Sequence, residues 1–235
     1  MSGRRLAVSR RLAVGWRPGG LHRLPTPAGA VRYRVVRADP PAVGAAPALV
    51  VGLHGFGSDE RQVASMLALD LPGPLVYLAP QAPEPEGSGF SWFGLQAGPG
   101  GRPEPEPAAL AGARARLHAF AAAAARAWRT DPARAALVGY SQGGALALDA
   151  ALRDPGPFAA IAALAGGAAE GTPGPPRVPL FVGAGTLDPV APADAVRRRA
   201  ASWPGVALSV ARGAHVVTAQ HRADLSAWLR PRLAP

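Results

Sequence analysis

Six short stretches of this chain are apolar at nearly every position: Ala48–Leu53, Pro74–Ala79, Ala135–Tyr140, Phe158–Leu164, Val178–Gly183 and Gly205–Ala211. A strand with one wet face alternates polar and apolar side chains, so a run that does not alternate has to be covered on both sides. The intervening segments Pro107–Arg129, Gln142–Arg153, Pro192–Ser202 and Thr218–Leu229 are helical in character, and Asp131-Pro132 and Asp154-Pro155 stop the first two. Val31–Arg37 alternates apolar and charged residues, the pattern of a half-buried edge strand. Strand and helix alternate to the end, which predicts an α/β fold with a mostly parallel central sheet and helices on both faces. A chain of 235 residues suits one such domain. It is expected over residues 31–235, behind a basic segment, 1–30.

Charge needs dissection before it is read as a partner signal. The net charge is +10, and all 25 basic residues are Arg. Lys and Asn are absent and Ile161 is the only isoleucine, a usage that reflects G+C-rich coding. Residues 1–40 carry nine Arg and one acid, a net of +8, which leaves +2 for the rest. A nearly neutral body argues against a nucleic-acid groove, which needs basic residues spread over a face with aromatics between them. With no cysteine, disulfides, thiolate metal sites and cysteine nucleophiles are excluded. The uncharged stretch 156–169 is too short to span a bilayer. The N-terminal residues hold no apolar run of signal-peptide length. The expectation is a cytoplasmic protein without integral membrane association, monomeric or homodimeric.

The sharpest chemical signal is Gly139-Tyr140-Ser141-Gln142-Gly143, a G-x-S-x-G that leaves an apolar strand and opens a helix. That context is what the motif requires: a turn this sharp lifts the hydroxyl above the sheet edge, at a helix N-terminus that favours a developing oxyanion. On such an architecture the acid and then the base follow the nucleophile in the chain. Downstream histidines are His215, just after the last apolar run, and His221, inside the terminal helix, where it is expected to be solvated. His215 is preferred. Among the downstream acids, Asp188 lies in the loop after run 178–183, on the same rim as Ser141 and His215. Asp149 and Asp154 fall on or after the nucleophile helix, Asp194 and Asp224 read as solvated helix positions, and Glu170 in a breaker-rich loop is a weaker competitor.

An oxyanion hole needs two backbone N–H groups. Gln142, after the nucleophile, supplies one. Phe56, in His54-Gly55-Phe56-Gly57 at the end of run 48–53, is the expected second. His54 precedes Ser141 and is read as shaping that turn. Residues 81–107 are so rich in Pro and Gly that no regular structure is expected there, and 166–177 form a second such connection. Phe90, Trp92 and Phe93 cluster in the first loop and are expected to wall a shallow, open substrate site for short to medium acyl chains.

Taken together, the LHGFGSDE box at 53–60, APQAP at 79–83, SWF at 91–93, GYSQGG at 139–144, GTLDPV at 185–190 and GAH at 213–215 resemble the phospholipase/carboxylesterase family over roughly residues 45–230. This is the α/β-hydrolase branch that includes bacterial carboxylesterases and acyl-protein thioesterases. The resemblance implies the α/β-hydrolase fold and a Ser141–His215–Asp188 triad. It implies the Phe56 and Gln142 amides as oxyanion donors, a small-molecule ester or thioester substrate, and neither cofactor nor metal. Val216 stands where relatives often carry Glu. Lysophospholipase, lactone and peptide hydrolysis use the same triad, and a non-catalytic binding module is the reading from another class.

Overall fold

Along Ala48–Leu53 (β3), Leu49, Val51 and Leu53 enter one apolar core while Ala48 and Val50 enter another. Ala135–Tyr140 (β9) divides in the same way, with Ala135 and Leu137 on one side and Ala136, Val138 and Tyr140 on the other. Successive side chains of a strand point to opposite faces, so a run apolar throughout builds two cores at once. The computed structural model describes residues 20–40, 45–98, 103–167 and 174–235.

The remaining strands of the main sheet are Leu21–Thr26 (β1), Gly29–Ala38 (β2), Leu75–Pro80 (β4), Ala160–Leu164 (β10), Leu180–Gly185 (β11) and Ala207–Ala211 (β12). Their spatial order is β1-β2-β4-β3-β9-β10-β11-β12. The six strands from β4 to β12 run parallel, and β1 and β2 are antiparallel additions at one edge. The fold is thus α/β, with an eight-stranded, mostly parallel sheet.

Helices cover both faces. On one side lie Pro107–Trp128 (α2) and Gln142–Arg153 (α3), which contribute Leu110, Leu117, Phe120, Leu146 and Leu152 to the first core. The buried positions of α2 recur every three or four residues, an apolar stripe turned to the sheet. The other side carries Glu60–Met66 (α1), capped by the Asp59 side chain, and Ala219–Leu233 (α5). Val63, Leu225, Leu229 and Leu233 fill the second core from these helices. Ala193–Ala201 (α4) packs near β11 and β12. No helix among the described residues is long and apolar enough to cross a membrane.

Three expectations need correction. Among the described residues the sheet already includes Leu21–Thr26 and Gly29–Ala30; Pro25 is tolerated because β1 is an edge strand. The Pro/Gly-rich stretch contains two short hairpins, Glu84–Glu86 (β5) with Gly89–Ser91 (β6), and Leu95–Ala97 (β7) with Pro103–Pro105 (β8). The terminal helix continues through Pro231 to Leu233. Burial of Leu233 and a 3.1 Å bond from Arg134 Nη1 to its carbonyl hold that last turn. Residues 1–19, most of the expected basic segment, lie outside the described residues, as does Glu170.

Candidate active site

Ser141 sits between β9 and α3 with φ 54° and ψ −115°, a left-handed conformation that costs a residue with a side chain roughly 1–3 kcal/mol. The cost is offset by packing so tight that only glycine fits beside it. A Cβ on Gly139 would overlap the Gly143 carbonyl, and one on Gly143 would stand 2.6 Å from Leu53 Cβ and 2.7 Å from the His54 carbonyl oxygen. The Ser141 amide donates to the Leu164 carbonyl at 2.9 Å, and its own carbonyl accepts from Ala145 at 2.8 Å to start α3. The serine is therefore fixed by β10 on one side and by the helix on the other.

β11 and β12 are parallel neighbours, so the loops after them leave the same sheet edge. They are pinned together: Thr186 N donates to the Ala211 carbonyl and Leu187 N to the Gly213 carbonyl, both at 2.9 Å. Asp188 on one loop and His215 on the other meet with Nδ1 and Oδ2 2.8 Å apart, and His215 Nε2 lies 2.8 Å from Ser141 Oγ. The second carboxylate oxygen of Asp188 accepts from the amides of Val190 and Ala191 at 2.8 and 2.9 Å. Burial by itself would raise the Asp188 pKa. The Ala191 amide, the His215 bond and the Val190 amide outweigh it and hold the carboxyl below its usual range. An ionised Asp188 fixes the proton of neutral His215 on Nδ1 and leaves Nε2 to accept from the serine hydroxyl.

Gly55 comes so close to Ser141 that a Cβ there would be 3.3 Å from Ser141 Cβ. Its loop is strapped down: Gly55 N donates to Gln62 Oε1 at 2.8 Å, Gly57 N to the Phe90 carbonyl at 3.1 Å and Ser58 N to the Gly55 carbonyl at 3.3 Å. Among the described residues the Phe56 amide has no protein acceptor. Gln142 is the first residue of α3, where an amide has no intrahelical partner, and Ser141 offers it no side-chain cap. Among the described residues, the amides of Phe56 and Gln142 are thus both without a protein acceptor.

Gln142 contributes more than its amide, which the sequence reading missed. Its buried side chain accepts from Trp92 N at 2.9 Å and donates to Ser91 Oγ at 2.8 Å and the Phe93 carbonyl at 2.9 Å. The Trp92 indole N–H donates to the His54 carbonyl at 2.8 Å. Imidazole His54, fully buried, donates from Nδ1 to the Gly55 carbonyl at 2.8 Å and accepts at Nε2 from Ala82 N at 3.1 Å. Burial pushes the His54 pKa down, in keeping with its turn-shaping role. A buried indole always seeks an acceptor, and that was the signal available in the sequence.

Here the expected aromatic wall fails. Trp92 and Phe93 are buried in the first core, and Phe90 packs against it with the Arg32 guanidinium over its ring. Trp92 and Phe93 are thus covered by protein, while Phe90 is half-buried. Exposed apolar residues near Ser141, Asp188 and His215 in the chain or the fold are others: Phe56, Leu187, Val190 and Val216 present 45–69% of their surface to solvent. Each stands within two positions of Gly55, Asp188 or His215. A polar depression lined by Gly57, Ser58, Arg61, Ser65 and Ser88 lies beside the same loop and does not include Ser141. His221, expected to be solvated, is buried. It closes a capping box with Thr218 and its Nε2 donates to the Ala184 carbonyl at 3.1 Å.

Comparison with known proteins agrees with this architecture. A family model described as Phospholipase/Carboxylesterase matches residues 40–201. Among solved structures the chain is similar to a carboxylesterase from Mesorhizobium loti, with 21% identity and a TM-score of 0.71 over 89% of this chain and 98% of that one. It is similar to esterase PE8, with 29% identity and a TM-score of 0.63 over 83% and 99% of the two chains. Zea mays acyl-protein thioesterase 2 shares the fold at 20% identity and a TM-score of 0.66, over 86% and 99%. A search of curated proteins gives no match. With more than half of its length matched by the family model, this chain belongs to the phospholipase/carboxylesterase family of α/β-hydrolases.

Proposed function

We propose that the protein is a serine hydrolase that cleaves carboxylic ester or thioester bonds through an acyl-enzyme. The observation that carries this reading is the unbroken relay from Ser141 Oγ through His215 to Asp188, with 2.8 Å at each step. Ser141 Oγ attacks the carbonyl carbon as His215 Nε2 takes its proton. Ionised Asp188 stabilises the resulting imidazolium and keeps it oriented. The carbonyl oxygen, now negative, accepts from the Phe56 and Gln142 amides. Collapse breaks the bond to the alcohol or thiol, which leaves with the proton from Nε2. Water then adds to the acyl group, gives a proton to His215, and the carboxylic acid departs as the proton returns to Ser141 Oγ.

The exposed side chains of Phe56, Leu187, Val190 and Val216 support an apolar substrate group laid across an open rim, and so esters of short to medium chain length. The test is labelling by a fluorophosphonate together with turnover of p-nitrophenyl esters from acetyl to dodecanoyl. Wild type should label and hydrolyse. Ser141→Ala should do neither, with turnover down on the order of a million-fold and the fold intact. Activity of Ser141→Ala within tenfold of wild type would falsify the assignment.

A further inference from the structure

Tyr140 occupies a position the reaction scheme leaves unused. It is the last residue of β9, which is hydrogen-bonded on both sides by β3 and β10, so its backbone belongs to the most constrained part of the sheet. Its side chain is almost wholly buried and reaches away from the sheet toward the loop that carries the base. The phenol donates to the His215 backbone carbonyl at 2.6 Å, and the two rings lie 5.4 Å apart at 41°. The Tyr140 ring also abuts the oxyanion loop: its Cδ1 and Cε1 are 3.3 Å from where a Cβ on Gly55 would stand. One side chain therefore touches the backbone beside both groups that act on Ser141, the base and the Phe56 amide.

The loop around His215 explains why such a brace has work to perform. Val216 N turns back to the Ala214 carbonyl at 2.8 Å, and Gly213 O is engaged by Leu187 N at 2.9 Å. These bonds shape the loop before and after His215 and leave its own carbonyl to the phenol. Burial, and then the nearby Asp188 charge, push the Tyr140 pKa up, so the hydroxyl remains a donor throughout the neutral range. Without it, rotation about the His215 backbone would carry Nε2 off the serine hydroxyl, and misplacement by an ångström is costly in such reactions.

Resting on the serine-hydrolase reading above, we propose that Tyr140 is a positioning residue. Its hydroxyl, by holding the His215 carbonyl, fixes the imidazole over Ser141, and its ring sets the spacing between the base loop and the oxyanion loop. The residue type matters here, because phenylalanine would fill the space and lack the donor.

The experiment compares Tyr140→Phe with Tyr77→Phe in the full chain. Tyr77 is a matched control: its buried phenol also donates to a backbone carbonyl, that of Leu67 at 3.2 Å, on the loop after α1, and it bonds none of Ser141, Asp188 and His215. Melting temperature, kcat and KM for p-nitrophenyl acetate, and the rate constant for fluorophosphonate labelling are measured on each. Tyr140→Phe should lower kcat and the labelling rate together by about five- to tenfold, the worth of one buried neutral hydrogen bond, with KM within twofold. Tyr77→Phe should lower the melting temperature by a similar or larger amount and leave kcat within twofold. The proposal is overturned if Tyr140→Phe keeps kcat and labelling within twofold of wild type, or if Tyr77→Phe loses as much. A wild-type protein that neither labels nor turns over would remove the hydrolase reading and this inference with it.

Discussion

Beneath Ser141 the site is closed by bonds among buried groups, with Gln142, Trp92, His54 and Ala82 linked in series, whereas above it Phe56, Leu187, Val190 and Val216 stand in water with no polar partner. The bonds that link the lower region are 2.8–3.1 Å long, so a change to one member leaves another unsatisfied. The upper region is held only through its backbone, and its side chains can change without disturbing the fold. The difference separates two tasks. On the proposed function, buried polar groups fix the three residues in place while exposed apolar groups meet the substrate.

That separation can be broken or sharpened in order of expected effect. After loss of Ser141 itself, Asp188→Asn should be the most damaging change, slowing turnover by roughly ten-thousand-fold. Its remaining oxygen can still accept from Val190 and Ala191, so the loop should persist. The new amide, however, donates toward His215 Nδ1 and imposes the wrong tautomer. A kinetic loss without a change in melting temperature is the readout. Gln142→Ala acts on the lower region. It strands Trp92 N and leaves the Ser91 hydroxyl and the Phe93 carbonyl bonded only to each other, and should cost about 1–3 kcal/mol in denaturant unfolding. It should also lower turnover of acetyl and octanoyl esters by the same factor. A loss confined to long esters would show that this region also selects substrate.

The rim should respond in the opposite sense. Leu187→Ser with Val190→Ser should leave unfolding and acetyl turnover within twofold. The gain in kcat/KM per added methylene should flatten from an upper limit of about fourfold toward none. An unchanged chain-length profile would move the substrate elsewhere. The smallest effect is expected from pH. Burial lowers the pKa of His54, His118 and His221, so the folded state favours their neutral forms. The unfolded chain takes up protons first, so stability should be full above about pH 6.5 and fall as pH drops below it. The depressed Asp188 adds a further loss in strong acid. A melting temperature flat from pH 8 to pH 5 would show those histidines to be accessible.

The sequence foretold the strand and helix on either side of Ser141 and little of the loop packing against them. Ala135–Tyr140 and Gln142–Arg153 are observed with the boundaries expected, because a doubly covered strand and a helix begun at a Gly-containing turn are local patterns. The seven-residue helix α1 is too short for its periodicity to stand out, though Asp59 caps it. Hairpins β5–β6 and β7–β8 have three residues per strand and include Pro, so composition hid them. Trp92 and Phe93 lie in the loop where a substrate wall is expected, but they turn into the first core. Which way an aromatic turns in a loop depends on partners far off in the chain, here Gln142 and His54. His221 was misjudged for a similar reason: its acceptor, the Ala184 carbonyl, belongs to another strand.

The order of strands in the sheet has a consequence for how the molecule reaches its working state. β3 pairs with β9 through partners such as Leu49 and Ala135, and β4, the nearest parallel strand in the chain, lies on the other side of β3. Every parallel pairing of this kind closes a long loop before it gains a hydrogen bond, which makes folding slow compared with helical proteins. Phe56 follows β3, Ser141 follows β9 and His215 follows β12 at the far edge, so no part of the chain shorter than the sheet brings the three together. During refolding, helical signal should return first, and reaction of Ser141 with an active-site probe should mark the moment the last strand is in register.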